Sequence, residues 1–284
     1  MDESVLKLID AALAEDVGSG DVTSLYFVPE EARVRAFVVA RDEGVLAGGE
    51  VAREVFHRVA PGLEVELLLK DGVRLGKGAR VMEVRGAARS VLTAERTALN
   101  FLQRMCGVAT LTRQYVDRIQ GARARILDTR KTTPGWRLLE KSAVVAGGGT
   151  NHRMGLYDRA MVKDNHLVTK TDLVQLQESI RRLKRERPGI EVELEADTLK
   201  QVRDFLGLDG VDYILLDNME PSELREAVEM RGKKGVPRLE ASGGVTLETV
   251  AAIAASGVDF VSVGAITHSA VSLDLALDFV ESDP

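Results

Sequence analysis

The chain predicts an α/β protein whose first hundred residues differ in kind from the rest. From about residue 123 strand-like and helix-like segments alternate, which implies a parallel sheet with helices outside it. Before that point, short β-rich segments and glycine turns are grouped ahead of a long helical pattern, an α+β arrangement. Thirdly, each candidate strand of the second part runs out into polar or glycine residues. In βα barrels that is where the chemistry sits.

The elements follow in order. MDESVLKLIDAALAED has early acids and helical apolar spacing, so it reads as an amphipathic helix and not as a signal segment. Arg33–Ala40, Leu63–Leu69 and Ala79–Val84 are strand candidates, with turns at Gly44, Gly48, Gly49, Gly72, Gly76 and Gly78. A short helix fits Glu50–Arg58. Ser90–Met105 has helical apolar spacing with Ser90 or Thr93 as a cap, and a second long helix covers Val108–Ile119. Strand candidates then fall at Ala124–Asp128, Ala160–Lys163, Glu191–Glu195, Tyr213–Asp217, Arg238–Ala241 and Phe260–Val263. Helices fit Thr171–Glu186, Leu199–Leu206, Pro221–Arg231 and Leu247–Ser256, with Pro221 suited to a first helical position. Six or seven such units favour a closed or nearly closed barrel over an open sheet.

Bulk composition narrows the function classes. The 284 residues are 45% hydrophobic and 29% charged, a globular profile. The formal charge of −6 argues against a nucleic-acid surface. Cys106 is the single cysteine, which excludes an intrachain disulfide and a cysteine metal cluster and suits a reducing, cytoplasmic setting. No apolar run approaches the ~20 residues of a membrane span.

Against this acidic background, residues 128–166 gather Arg130, Lys131, His152, Arg153 and Lys163 in a glycine-rich stretch. Fixed positive charge beside such backbone suits a small, multiply anionic ligand. The strand ends add Thr129 beside that pair, Asp164-Asn165-His166 after Lys163, then Glu195 and Asp217. Strand alternation places Glu193 and Glu195 on one face, pointing inward, and Val192 and Leu194 under the helices. Ser242-Gly243-Gly244 and then Gly264-Ala265 offer small-residue backbone for a phosphate, with the following helix N-termini adding their dipoles. Glu195 and Asp217 could hold Mg²⁺, orient ribose hydroxyls or stabilise a cationic transition state. Lys163 at a strand end also fits a Schiff-base lyase. A non-catalytic phosphometabolite-binding barrel is a further reading.

The motifs AERTALNFLQRMCGVAT, DTRKTTPG, GGGTNHRMGL, VKDNH, EVELEADTL, LLDN, LEASGG and VGAITHS, in this order and spacing, resemble the decarboxylating quinolinate phosphoribosyltransferase family of NAD biosynthesis. The resemblance implies an N-terminal α/β sandwich domain (1–105, with the tail 270–284 packing on it) and an open, TIM-like barrel (106–269). It implies transfer of phosphoribosyl from phosphoribosyl pyrophosphate to quinolinate with Mg²⁺, giving nicotinate mononucleotide, pyrophosphate and CO₂. By motif, Arg130, Arg153 and Lys163 would hold the quinolinate carboxylates, with Lys131 and His152 beside them. Glu195 and Asp217 would face the ribose and the metal-bound pyrophosphate, and Lys131, Lys163, Glu195 and Asp217 form the catalytic set. Thr129 would flank the substrate. Ser242, Gly243, Gly244, Gly264 and Ala265 would take the 5′-phosphate. Arg96 is similar to a family arginine that enters the neighbouring subunit's site, which implies a homodimer.

Overall fold

The computed structural model describes residues 1–163 and 172–280. Asp164, Asn165, His166 and Thr171, named above, lie outside the described residues, as do 281–284. In chain order the elements are α1 (Glu3–Val17), α2 (Val22–Phe27), β1 (Arg33–Ala40), β2 (Gly44–Val45), α3 (Gly49–Val59), β3 (Glu64–Leu67), β4 (Arg74–Leu75), β5 (Arg80–Ala87) and α4 (Ala88–Arg118). Then come β6 (Arg125–Leu127), α5 (Arg137–Ala146), β7 (Arg159–Val162), α6 (Leu173–Glu186), β8 (Glu191–Ala196), α7 (Leu199–Leu206), β9 (Tyr213–Asp217) and α8 (Pro221–Arg231). The chain finishes with β10 (Arg238–Ser242), α9 (Val250–Ala254), β11 (Phe260–Ser262), α10 (Ala265–His268) and β12 (Leu275–Phe279).

Two compact units result. The first comprises Met1–Arg113, Thr132–Gly148 and Ile266–Pro284; the second comprises Gln114–Lys131 and Gly149–Ala265. In the first, an antiparallel sheet runs β12-β1-β5-β3. The far C-terminal β12 is therefore a strand of the N-terminal sheet. The inner half of β1, from Ala36 to Ala40, is buried. α3 starts where Gly48 turns at φ +94°, and the Asp71 carboxylate accepts the Gly48 and Gly49 amides at 2.8 and 3.1 Å. Two amides that a helix start leaves unpaired are thereby satisfied.

The two helices expected at Ser90–Met105 and Val108–Ile119 are one 31-residue helix, α4. Gly107 reads as a break in sequence but serves close approach instead. A Cβ there would sit 2.1 Å from the Val271 carbonyl oxygen.

The second unit is built on a six-stranded parallel sheet ordered β6-β11-β10-β9-β8-β7. Its end strands β6 and β7 do not pair with each other, so the described barrel is open. Hydrogen-bond register puts paired residues on one face. Met161, Glu193, Tyr213 and Arg238 form one row, and Glu195, Leu215, Glu240 and Phe260 the next. Asp217 and Ser242 stand in the row nearest the carboxyl ends. The opposite face carries Val192, Leu194, Ile214, Leu216, Leu239 and Val261, all buried. Each such aliphatic side chain contributes ~1.5–3 kcal/mol by leaving water. That apolar face fixes the register, because a one-residue slip would turn every polar side chain of the inner face outward.

Candidate active site

A cavity of about 610 Å³ opens at the carboxyl ends of these strands. Its wall includes Thr129, Arg130, Lys131, His152, Arg153, Lys163, Asp217, Ser242, Gly243 and Gly244, residues spread over a hundred positions of sequence. Parallel strands bring them together because every strand of the sheet ends on the same side. All belong to the second unit.

After β6, the Thr129 hydroxyl accepts the Lys131 amide at 3.0 Å, which shapes the turn carrying Arg130 and Lys131. Ahead of β7, the buried Asp128 carboxylate accepts the His152 amide at 2.8 Å, and His152 Nδ1 accepts the Arg153 amide at 2.6 Å. Arg153 is half-buried, and its guanidinium reaches the Arg159 carbonyl at 3.3 Å and Met161 Sδ at 3.4 Å. Burial, and then the charge of Arg130, lower its pKa from the usual arginine value. Two cations held close in a partly dry wall make a place that an anion relieves.

Lys163, at the end of β7, donates to Glu195 Oε2 at 2.5 Å. Lys163 and Asp217 line the cavity, and Glu195 is the ion-pair partner of Lys163. Burial raises the Asp217 pKa, and nearby Lys163 works against that rise. Asn218 donates to Asp217 Oδ2 at 2.7 Å and is itself left-handed at φ +53°. A non-glycine residue takes that conformation at a cost, and such positions cluster at functional sites. Gly243, at φ +92°, allows the close approach of Asn218. A Cβ on Gly243 would fall 2.1 Å from Asn218 Oδ1. Gly244 continues the turn at φ +58° and is exposed.

Two expected features sit elsewhere. Gly264 and Ala265 follow β11 outside the cavity wall, at the start of the four-residue α10. The helix after the Ser242–Gly244 turn begins only at Val250 and is five residues long, so the dipole expected to face a phosphate is not adjacent to the turn. Small glycine backbone, without the helix, supplies what that turn offers. Arg96 is exposed on α4, in the first unit.

The reading by strand ends missed the floor of the cavity. Glu240, Ser262, Met161 and Leu215 lie there. Glu240 and Glu193 have no exposed surface. His152 Nε2 lies 3.2 Å from Glu193 Oε2 and 3.4 Å from Glu240 Oε2. Alternation from Ser242 back to Glu240 was the available signal. Burial opposes a charged His152, while the facing carboxylates of Glu193 and Glu240 raise its pKa. The Arg153 amide at Nδ1 opposes the charged ring, which would carry a second N–H there. We take the ring as the Nε2–H form, because Nε2 faces the two carboxylates and Nδ1 accepts the Arg153 amide. Burial, and then Glu240, raise the Glu193 pKa.

The same three groups have donor atoms within 4.8 Å of one another, a spacing a metal could bridge. An Nε2 that carries hydrogen cannot ligate, and Arg159 Nη1 is 3.5 Å from Glu193 Oε2. The cluster is better suited to a proton than to a cation. Asp217, half-buried at the cavity wall, and Glu195 offer the hard oxygens that Mg²⁺ prefers.

Comparison with known proteins agrees with this geometry. Residues 21–106 match the quinolinate phosphoribosyl transferase N-terminal domain, and residues 108–278 its C-terminal domain. The chain is 43% identical to the Arabidopsis thaliana chloroplastic nicotinate-nucleotide pyrophosphorylase [carboxylating], over 97% of this chain and 82% of that protein. It is 39% identical to the probable nicotinate-nucleotide pyrophosphorylase [carboxylating] of Bacillus subtilis, over 98% and 94%. The solved nicotinate-nucleotide pyrophosphorylase of Francisella tularensis superposes with a TM-score of 0.90 at 36% identity, covering 98% of this chain and 96% of that one. With both domains matched and relatives aligned along nearly its whole length, the chain belongs to the quinolinate phosphoribosyltransferase family.

Proposed function

We propose that the chain joins the ring nitrogen of quinolinate to C1 of phosphoribosyl pyrophosphate and releases pyrophosphate, CO₂ and nicotinate mononucleotide. The observation that carries this is the cavity itself. Arg130, Lys131, Arg153 and Lys163 share one wall with Asp217 and the Ser242–Gly244 turn. A ring diacid and a sugar phosphate need those two kinds of surface side by side.

Arg130, Arg153 and Lys163 hold the ring carboxylates, with Lys131 and His152 beside them and Thr129 at the edge. Ser242, Gly243 and Gly244 seat the 5′-phosphate. Displacement at C1 builds oxocarbenium character, which Asp217 and Glu195 stabilise. Once the nitrogen is ribosylated, the bond to the 2-carboxylate breaks as CO₂ leaves. Its electron pair stays on the ring beside the cationic nitrogen and takes a proton from water. The protein's part is positioning and electrostatics. Mg²⁺ is the expected cofactor: Asp217 and Glu195 would hold it, and when bound it neutralises charge on the departing pyrophosphate. A Schiff-base lyase is disfavoured by the Lys163–Glu195 ion pair, since that chemistry needs a free amine lone pair.

The assembly we propose is a homodimer in which Arg96 enters the neighbouring site, supported by the exposure of Arg96 on α4. A cytoplasmic location is supported by the single, buried Cys106. Among the described residues no helix is long and apolar enough to cross a membrane. The Arabidopsis relative is named chloroplastic, so cell fractionation tests the compartment.

The test is direct. Purified protein, quinolinate, phosphoribosyl pyrophosphate and Mg²⁺ should yield nicotinate mononucleotide and CO₂ in equal amounts. CO₂ without the phosphoribosyl donor, or no mononucleotide, would contradict the proposal.

A further inference from the structure

His152, in the cavity wall, faces two carboxylates that the chemistry above does not use. Glu193 and Glu240 are fully buried, and burying even one carboxylate costs several kcal/mol unless it is paired. Glu240 Oε1 accepts from the Ser262 hydroxyl at 2.5 Å. Neither oxygen of Glu193, nor Oε2 of Glu240, has a well-directed hydrogen bond. What faces them is His152 Nε2, at 3.2 and 3.4 Å, with Arg159 Nη1 at 3.5 Å from Glu193. The other ring nitrogen, Nδ1, holds the Arg153 amide at 2.6 Å. The imidazole is thus a bracket between the buried carboxylates and the backbone of a cationic cavity residue.

We propose that Glu193 and Glu240 are positioning residues for the ring-acid end of the cavity: they hold His152 with Nε2–H turned toward the floor, so that Nδ1 fixes the Arg153 backbone and sets where its guanidinium meets a substrate carboxylate. Resting on the function proposed above, this explains why negative groups lie so close to an anion site. They face the imidazole and fix its orientation. A carboxylate–imidazole pair of this kind orients a ring much as outer-shell carboxylates do for metal-bound histidines. Ser262, through Glu240, belongs to the same support.

The experiment measures KM for quinolinate and for phosphoribosyl pyrophosphate separately in Glu240→Leu, Glu240→Gln and Ser262→Ala. Glu240→Leu should raise KM for quinolinate tenfold or more while KM for the donor stays within twofold. Glu240→Gln, whose amide oxygen still accepts from Nε2–H, should return the quinolinate value to within threefold of wild type. Both KM values unchanged, or both raised together, in Glu240→Leu would overturn the proposal. Should Glu240→Leu not fold, Ser262→Ala decides on the same split. A threefold or larger rise for quinolinate alone supports it, and an unchanged or matched rise overturns it. A second readout needs no turnover. In ¹⁵N-histidine-labelled wild-type protein the His152 ring should show a protonated Nε2 and a bare Nδ1. A protonated Nδ1 would overturn the proposal even in an inactive protein, whereas absence of mononucleotide from wild type sinks only the function proposed above.

Discussion

Arg130 and Gly243 both line the cavity, and with the ring-acid and phosphate roles proposed for them they should fail differently. Arg130→Ala removes a bidentate partner for carboxylate, so KM for quinolinate should rise tenfold or more with little change for the donor. Gly243→Ala puts a methyl group 2.1 Å from Asn218 Oδ1 at a backbone φ of +92°, so the turn must shift. There the donor's KM should rise instead. Steady-state kinetics with each substrate varied checks both, and an exchange of the two patterns would mean the ends are assigned in reverse. At this scale the sequence was informative about residues that close a strand. Lys163, Asp217 and Ser242 were legible because a polar residue ending an apolar run is conspicuous. Glu240 was not, because it lies inside the run RLEAS, two residues before the strand's end, where only alternation marks its face. His152 was visible, but its role depended on two glutamates 41 and 88 positions away in the chain.

Secondary-structure elements were mostly legible from periodicity, and the misses share a cause. α4 was divided at Gly107 because glycine usually weakens a helix, by ~1 kcal/mol relative to alanine. Here the glycine lets the Val271 carbonyl approach, a contact 164 residues away that no local window reveals. Gly107→Ala should therefore destabilise the first unit despite its better helix propensity. Overpacking of this kind costs ~1–3 kcal/mol, so a lower melting temperature is expected by calorimetry. A stabilised variant would mean that the helix and the Val271 segment are not in contact. α5 was missed because its Leu139, Ala143 and Val144 sit inside a stretch dominated by glycine and charge. The tail 270–284 was expected against the first domain, but β12 was not read as a strand, because its partner β1 lies at the other end of the chain. The first sheet also yields a pH prediction. On β5, hydrogen bonds from Arg35 and Arg85 lower the Glu83 pKa from 4.5 to about 2. A carboxylate with a depressed folded pKa stabilises above its unfolded value, and that contribution fades as pH falls from 4.5 toward 2. Glu83→Gln should melt lower than wild type at neutral pH, and the gap should close through that acid window. Both arginines are about half exposed, so the effect is modest. A gap that persists at pH 2 would place the stabilisation outside this ion pair.

On the scale of the whole chain, an acidic protein gathers four cations, Arg130, Lys131, Arg153 and Lys163, at one end of one parallel sheet. That concentration was readable from residues 128–166, while the openness of the sheet was not. Closure depends on whether β6 and β7 pair, and strand rhythm alone carries no information about the last pairing. The lower rows of the inner face carry Arg159, Glu193, Tyr213, Arg238 and Glu240, and Arg159 lies 4.0 Å over the Tyr213 ring. A polar interior is costly, and in this fold it carries a wall of fixed charge. Lys163 tests that account most directly, because it joins the strand end, the ion pair with Glu195 and the cavity wall. The measurement is nicotinate mononucleotide formed per minute from quinolinate and the phosphoribosyl donor, in wild type and in Lys163→Ala of matching circular dichroism. The expected result is steady product from wild type and a ~10²–10³-fold lower rate in the variant. Equal rates would contradict the placement of the chemistry in this cavity.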